Sequence, residues 1–203
     1  MIALILSLLF DPTIPGNSVC ALFKLDRCVE ELQAWMARNK QMMNPDKTEF
    51  FIASSVAHRK RLEHLTFHLD DVEIHPSPSV KNLGAVFDTH MKMDNHVTQL
   101  SRSLNFHIRN LSRIRLFIDV NSCHNAIRSL ILSRLDYCNA LLNGIPKKQI
   151  SRLQRIQNRC ARLIFKKPKF TRSSPLLKQL HWLPVAERIQ FGKKFGPHFQ
   201  SSE

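Results

Sequence analysis

Arg152, Arg155, Arg159, Arg162 and Lys166 recur at steps of three and four residues, the period of an α-helix. At 100° per residue they fall in one stripe about 80° wide and about 21 Å long. Ile150, Leu153, Ile156, Cys160, Leu163 and Ile164 fill the neighbouring arc, so one face can bury while the other presents five cations. No acid interrupts the stripe, whereas a merely solvated helix face usually mixes charge signs for i,i+4 pairing. A row of permanent cations of this kind suits the neutralisation of backbone phosphates and the release of their counterions. Arg102, Arg109, Arg113 and Arg115 on a preceding helical run, and Lys167, Lys169 and Arg172 beyond the stripe, extend the patch. Phe106, Phe117, Phe165 and Phe170 are the only aromatics among these cations, and helical spacing assigns most of them to the core. The expected partner is therefore a duplex read through its backbone and shape, with neither single-strand stacking nor base readout.

The rest of the chain offers little other chemistry. Asp70-Asp71 is the one Asp-Asp pair, but it sits between alternating apolar residues where a hairpin turn is expected. Two-metal chemistry needs carboxylates converging from separate strands. Cys20, Cys28, Cys123, Cys138 and Cys160 contain no C-x-x-C pair, and they read as buried thiols of a reducing compartment. The histidines show no metal-ligand spacing: His64 and His68 stand four apart within a strand-like run. No Ser/His/Asp set or phosphate-cradling glycine loop stands out, and the chain holds five glycines. Neither a small-molecule substrate nor a cofactor is expected.

The formal charge of +14 is unevenly placed. Residues 1–100 carry 10 Lys/Arg against 12 Asp/Glu, and residues 101–203 carry 20 against 4. A polyanion-facing surface is thus expected in the second half alone. At 203 residues and 43% hydrophobic content the chain has enough material for a folded core. Met1–Phe10 resembles a signal sequence superficially, but it lacks a preceding cation and a small-x-small cleavage site. Ten residues also fall short of the ~20 that span a bilayer. The run reads as an apolar strand, and the expected location is intracellular, cytoplasm or nucleus, with no membrane partner. A membrane-tethered interaction protein is the alternative resting on those residues.

These signals need elements to position them. Leu22, Leu25, Val29, Leu32 and Met36 define an amphipathic helix capped by Ser18 and ended with the help of Pro45. Residues 47–54 suit a strand and 58–61 a basic connection. Leu65, Phe67 and Leu69, then Val72 and Ile74, suit a hairpin, and residues 80–88 one further strand with Gly84 as a bulge. From Asp94 the pattern turns helical: one helix to about Phe117, and a second capped by Asp119 or Asn121 and closed by Gly144. A third spans about 147–166, and a short one starts at Pro184. The fold class is α+β: a small strand and hairpin piece with one helix over residues 1–90, then an antiparallel helical bundle over 91–191. Residues 192–203 are expected to fray.

Several motifs in this order resemble one family. Trp35-Met36, followed by Asn44-Pro45-Asp46-Lys47-Thr48, is similar to the end of the palm in reverse transcriptases of LINE-type (non-LTR) retrotransposons. Leu8–Pro12 resembles the strand just past their catalytic turn. Val80-Lys81-Asn82-Leu83-Gly84-Ala85-Val86-Phe87-Asp88 resembles their primer-grip strand. Arg134–Asn139, Leu153–Arg162 and Leu180-His181-Trp182-Leu183-Pro184-Val185 resemble the thumb and post-thumb helices. The resemblance implies a thumb-like helical region holding RNA or RNA–DNA duplex. It also implies that Lys47 corresponds to the late-palm lysine proposed to protonate the pyrophosphate leaving group. The family uses Mg2+ on an aromatic-Ala-Asp-Asp turn, and this sequence contains no Ala-Asp-Asp. The expectation is a truncated polymerase remnant that binds nucleic acid without polymerising it. A domesticated nucleic-acid-binding protein, a non-functional translated relic and a gene product cut from a longer polymerase are the alternatives. Oligomeric state is left open.

Overall fold

The structure, a computed structural model, describes residues 13–14, 16–54, 57–58, 62, 64–69, 72–137 and 139–195. The apolar run before Thr13, the basic residues 59–61, Asp70-Asp71 and Cys138 lie outside the described residues. The chain divides into two compact units: one holds residues up to Asn82 with Phe87–Met91, the other Leu83–Val86 with residues from Lys92 onward.

The first unit is built on helix α1, Asn17–Arg38. Its N-cap is Gly16 in the left-handed region, one residue before the expected start, and Ser18 makes no capping bond. The predicted stripe is the inner face, with Val29 buried and Leu22, Leu25, Leu32 and Met36 half-buried. Cys20 and Cys28 sit off that face and are exposed, contrary to the expectation of buried thiols. The helix ends at Arg38 without help from Pro45, which opens a 3-10 turn, Pro45–Lys47, capped by the Asn44 side chain on the Asp46 N–H at 2.9 Å. Strands β1, Phe67–Leu69, and β2, Val72–Ile74, form the expected antiparallel hairpin, pairing Phe67 with Ile74 and Leu69 with Val72. Val29, Phe67 and Leu69 make the small core, with Leu25, Met43, Phe50 and Ile74 against it. The strand expected over 47–54 does not form among the described residues. Phe50 makes a single bridge to Pro76, and proline has no N–H with which to extend a ladder.

Residues 80–88 are two strands instead of one: β3, Ser79–Asn82, and β4, Ala85–Asp88. The reversal needs positive φ at both central residues, which Leu83 (45°) and Gly84 (86°) adopt. Gly84 is therefore a hairpin-turn residue and not a bulge.

In the second unit, α2, Asp94–Ile114, buries Val97, Leu104, Ile108 and Leu111 at helical spacing. Asp119 caps α3, Val120–Ile127, by accepting from the Ser122 N–H at 2.9 Å and Oγ–H at 2.6 Å. The expected continuous second helix is broken. A π-helical turn, Arg128–Leu132, leads to α4, Ser133–Asp136, and a 3-10 turn, Asn139–Leu142, follows. The π turn moves burial onto the adjacent pair Ile131 and Leu132 and leaves Leu130 exposed. Helix α5, Lys147–Ile164, buries Leu153, Ile156, Gln157, Cys160, Ala161 and Ile164. Two further helices follow, α6, Ser174–Gln179, and α7, Val185–Phe195. The expected fraying from residue 192 is wrong at its start, because α7 continues through Gly192 to Phe195. A Cβ at Gly192 would lie 2.2 Å from Asn139 Oδ1, so the residue permits a close approach there.

Consecutive segments α2, α3–α4 and α5 run up, down and up. The Arg134 guanidinium meets Ser103 Oγ at 2.8 Å across the antiparallel pair. As first and third members, α2 and α5 run parallel, with Gln149 on Asp94 and Arg152 on Thr98 at nearly constant sequence offset. Arg115 locks the far ends together. Only 4% exposed, it donates from Nε to the Leu163 carbonyl at 2.8 Å, from Nη2 to Ile164 at 2.5 Å and from Nη1 to Ile118 at 2.7 Å. It was expected to extend the basic patch; instead it satisfies the last carbonyls of α5 and sits at the negative end of that helix. Arg115→Met should destabilise the protein by about 3 kcal/mol in urea denaturation, because it leaves buried carbonyls unpaired. A change under about 1 kcal/mol would show that the cap is dispensable.

His96 is buried and its Nδ1 accepts the Val86 N–H at 3.4 Å. Burial lowers its pKa from the ordinary 6.5; His107 is lowered by the same cause and then by Arg134. The unfolded chain therefore binds more protons than the folded one just below pH 6.5, so this contribution is complete above that pH and is lost as the pH falls. Urea midpoints should drop between about pH 7.5 and about pH 5.5, and His96→Gln should flatten that slope. An unchanged slope in the variant would remove His96 as the cause.

Candidate nucleic-acid interface

Because α2 and α5 are parallel, their arginines meet in register. Arg102 and Arg109 lie seven residues apart on α2, and Arg152 and Arg159 seven apart on α5, about 10.5 Å in each row. These four, with Asn105, line a groove of about 410 Å3 between the helices. Arg152 donates from Nη1 to Thr98 Oγ1 at 3.0 Å, and Arg159 donates to Asn105 Oδ1. Asn105 is oriented by its own Nδ2 donating to the Ser101 carbonyl at 2.8 Å. Each guanidinium carries five N–H donors, so one bond to a neutral oxygen fixes the side chain and leaves the others for an acceptor in the groove. Among the described residues no carboxylate lies within ion-pair distance of these arginines. Asp94 bonds Gln149, and Asp136 pairs with Arg188.

The predicted stripe on α5 is thus divided. Arg152 and Arg159 line the groove, and Arg155 is exposed. Arg162 is half-buried and donates to the Thr171 carbonyl at 3.3 Å. Lys166 stands beyond the helix end with φ 50°. There the Lys167 N–H reaches the Arg162 carbonyl at 2.9 Å and the Lys166 N–H the Leu163 carbonyl at 3.3 Å, a Schellman closure with lysine in the place of glycine. Arg113 is exposed on the last turn of α2. Lys47 belongs to the first unit, exposed at the end of its 3-10 turn. Thr98 and Asn105 were missed by sequence reasoning. Their seven-residue spacing, equal to that of the arginines they hold, was the available signal.

A buried polar lattice backs the groove. Gln157, with no exposed surface, donates from Nε2 to the Leu183 carbonyl at 2.9 Å. Gln154 donates to Gln157 Oε1 at 2.9 Å and to Asn158 Oδ1 at 2.8 Å, and accepts the Val185 N–H at 2.8 Å. Arg188 donates to the same Leu183 carbonyl at 3.0 Å and pairs with Asp136. Tyr137 donates its hydroxyl to the Leu83 carbonyl at 2.5 Å. Trp182 is buried and stacks on His124 with ring centres 5.9 Å apart. Burial raises the Cys123 thiol pKa and pushes Cys160 up to about 12, so both remain protonated packing groups.

Among the described residues no group of three or more His, Cys, Asp or Glu is placed to hold a metal, and no helix is long and apolar enough to cross a membrane. Comparison of the chain with protein families, characterised proteins and solved structures finds no match.

Lys166 combines left-handed backbone strain with a groove-end charge, and one substitution separates the two. Lys166→Gly should raise stability by about 0.5–1 kcal/mol in urea denaturation while weakening polyanion binding severalfold. Loss of stability would show that the lysine side chain, and not its backbone geometry, matters to the closure.

Proposed function

We propose that the helical unit binds the sugar–phosphate backbone of a nucleic-acid duplex, RNA or RNA–DNA hybrid, in the groove between α2 and α5. The observation that carries this is the convergence of Arg102, Arg109, Arg152 and Arg159 on one groove with no carboxylate at ion-pair distance among the described residues. Isolated cations on a solvated face need no Thr or Asn to hold them in place. Here two of the four are held by neutral partners that leave their charge uncompensated. Arginine suits the role because its planar fork offers phosphate two parallel donors.

The resemblance to LINE-type reverse transcriptases supports the same reading and supplies the partner's class. The motifs that carry it, Asn82-Leu83-Gly84, Arg134–Asn139, Leu153–Arg162 and Leu180–Val185, hold the residues of the polar lattice just described: Leu83, Asp136, Tyr137, Gln154, Gln157 and Leu183. On this reading the chain is a thumb-bearing relative of those polymerases. With no Ala-Asp-Asp in the sequence, its activity is binding and not phosphoryl transfer.

Titration of hybrid and RNA duplexes over about 50–200 mM salt should give a log–log slope near −4, about one unit per groove arginine. Arg102→Gln with Arg109→Gln should bring the slope about two units closer to zero without loss of folding. No metal-dependent primer extension should accompany the binding. A wild-type slope near zero, or no change in the double variant, would refute the groove as the binding site.

A further inference from the structure

The aromatics expected to be core are mostly outside. Phe106 is 52% exposed, Phe117 86% and Phe170 93%. Their positions are not scattered. On α2, Phe106 stands between Arg102 and Arg109, at i+4 and i−3, on the groove rim facing away from α5, with Arg113 one turn further. Phe117 follows just past the helix end, about 16 Å along the axis from Phe106. Arg115 draws the 115–118 turn against the end of α5, where Lys166, Lys167, Lys169, Phe170 and Arg172 follow. The Lys169 ammonium lies 5.9 Å from the Phe170 ring centre. The acid at this end, Asp119, is engaged as the cap of α3.

We infer that Phe106, Phe117 and Phe170 are stacking platforms for unpaired nucleotides of a single strand continuing out of the duplex, its phosphates met by Arg113, Lys166, Lys167 and Lys169. This rests on the groove reading for the duplex half of the path and adds a second ligand form to it. Exposed rings interleaved with cations are the arrangement that binds single strands with little sequence preference, since every base has a face to stack. An anionic membrane meeting the end of the unit would engage Phe117 and Phe170 but not Phe106, partway down α2. A strand running along the α2 rim reaches all three.

The test compares a blunt hybrid duplex, the same duplex with a single-stranded overhang of ~8 nucleotides, and the free single strand, by anisotropy and by quenching of a fluorescent base analogue in the overhang. The overhang should tighten binding roughly tenfold or more and the analogue should be quenched. Phe117→Ala and Phe170→Ala, at positions too exposed to disturb folding, should each abolish most of that gain and the quenching. They should leave the blunt duplex within about twofold, while Phe117→Trp should retain the gain. Equal loss on blunt and overhang probes, or no gain from the overhang, would overturn the inference. So would Phe-dependent binding to phosphatidylserine vesicles with no overhang effect, which would assign the end to a lipid surface. Blunt-duplex binding that fails while the free strand still binds and quenches would sink the groove and leave the platforms standing.

Discussion

One buried cation holds the helical unit in the shape its surface requires. The Arg115 guanidinium is surrounded by carbonyls, not by a carboxylate, so its charge is met by the aligned peptide dipoles at the end of α5. Everything exposed on that face depends on it. It fixes the end of α5 to the end of α2, and hence the spacing of the two arginine rows along the groove between them. It also turns the chain so that Phe117 faces solvent and α3 starts at Asp119. A cation in the interior thus sets the geometry of the cations at the surface. Arg113 and Arg115, two residues apart, have opposite duties.

The second organising element is the set of side-chain amides on α5. Helix α5 presents arginines to the groove and Gln154 and Gln157 toward the chain's last segments. The amides bind the backbone of Leu183 and Val185 where no helix or ladder would satisfy it. Asp136 and Arg188 extend the same lattice to α4. Because the polar groups are mutually satisfied, they specify one arrangement of α4, α5 and α7 where apolar packing alone would accept several.

The basic face of α5 was legible because a 3.6-residue period needs only the sequence of one helix, and the same holds for the buried stripes of α1 and α2. What the period leaves out is everything between helices. The side-by-side pairing of α2 and α5 follows from an intervening segment whose length and direction are tertiary facts. Arg115 could not be told from Arg113 by type or spacing. The strand expected over 47–54 has the right residues but only a proline as its paired neighbour. Residues 80–88 have strand character throughout, and only Leu83 and Gly84 in the left-handed region divide them. Phe106, Phe117 and Phe170 were assigned to the core because apolar residues usually are, a rule that holds in only one direction.

The π turn at Arg128–Leu132 is one residue more than an α-helix needs, and the second unit is built around the surplus. In lineages under insertion and deletion, such a residue would be the first to be lost without breaking a helix. Here its removal would restore regular helix and turn everything after it by about 100°. Asp136 would swing away from Arg188, and Tyr137 from Leu83. A segment that looks permissive on the page of the sequence is therefore intolerant of any change in length. Homologous chains that keep the Asp136 and Tyr137 contacts should conserve the number of residues between Asp119 and Asp136 more strictly than their identity.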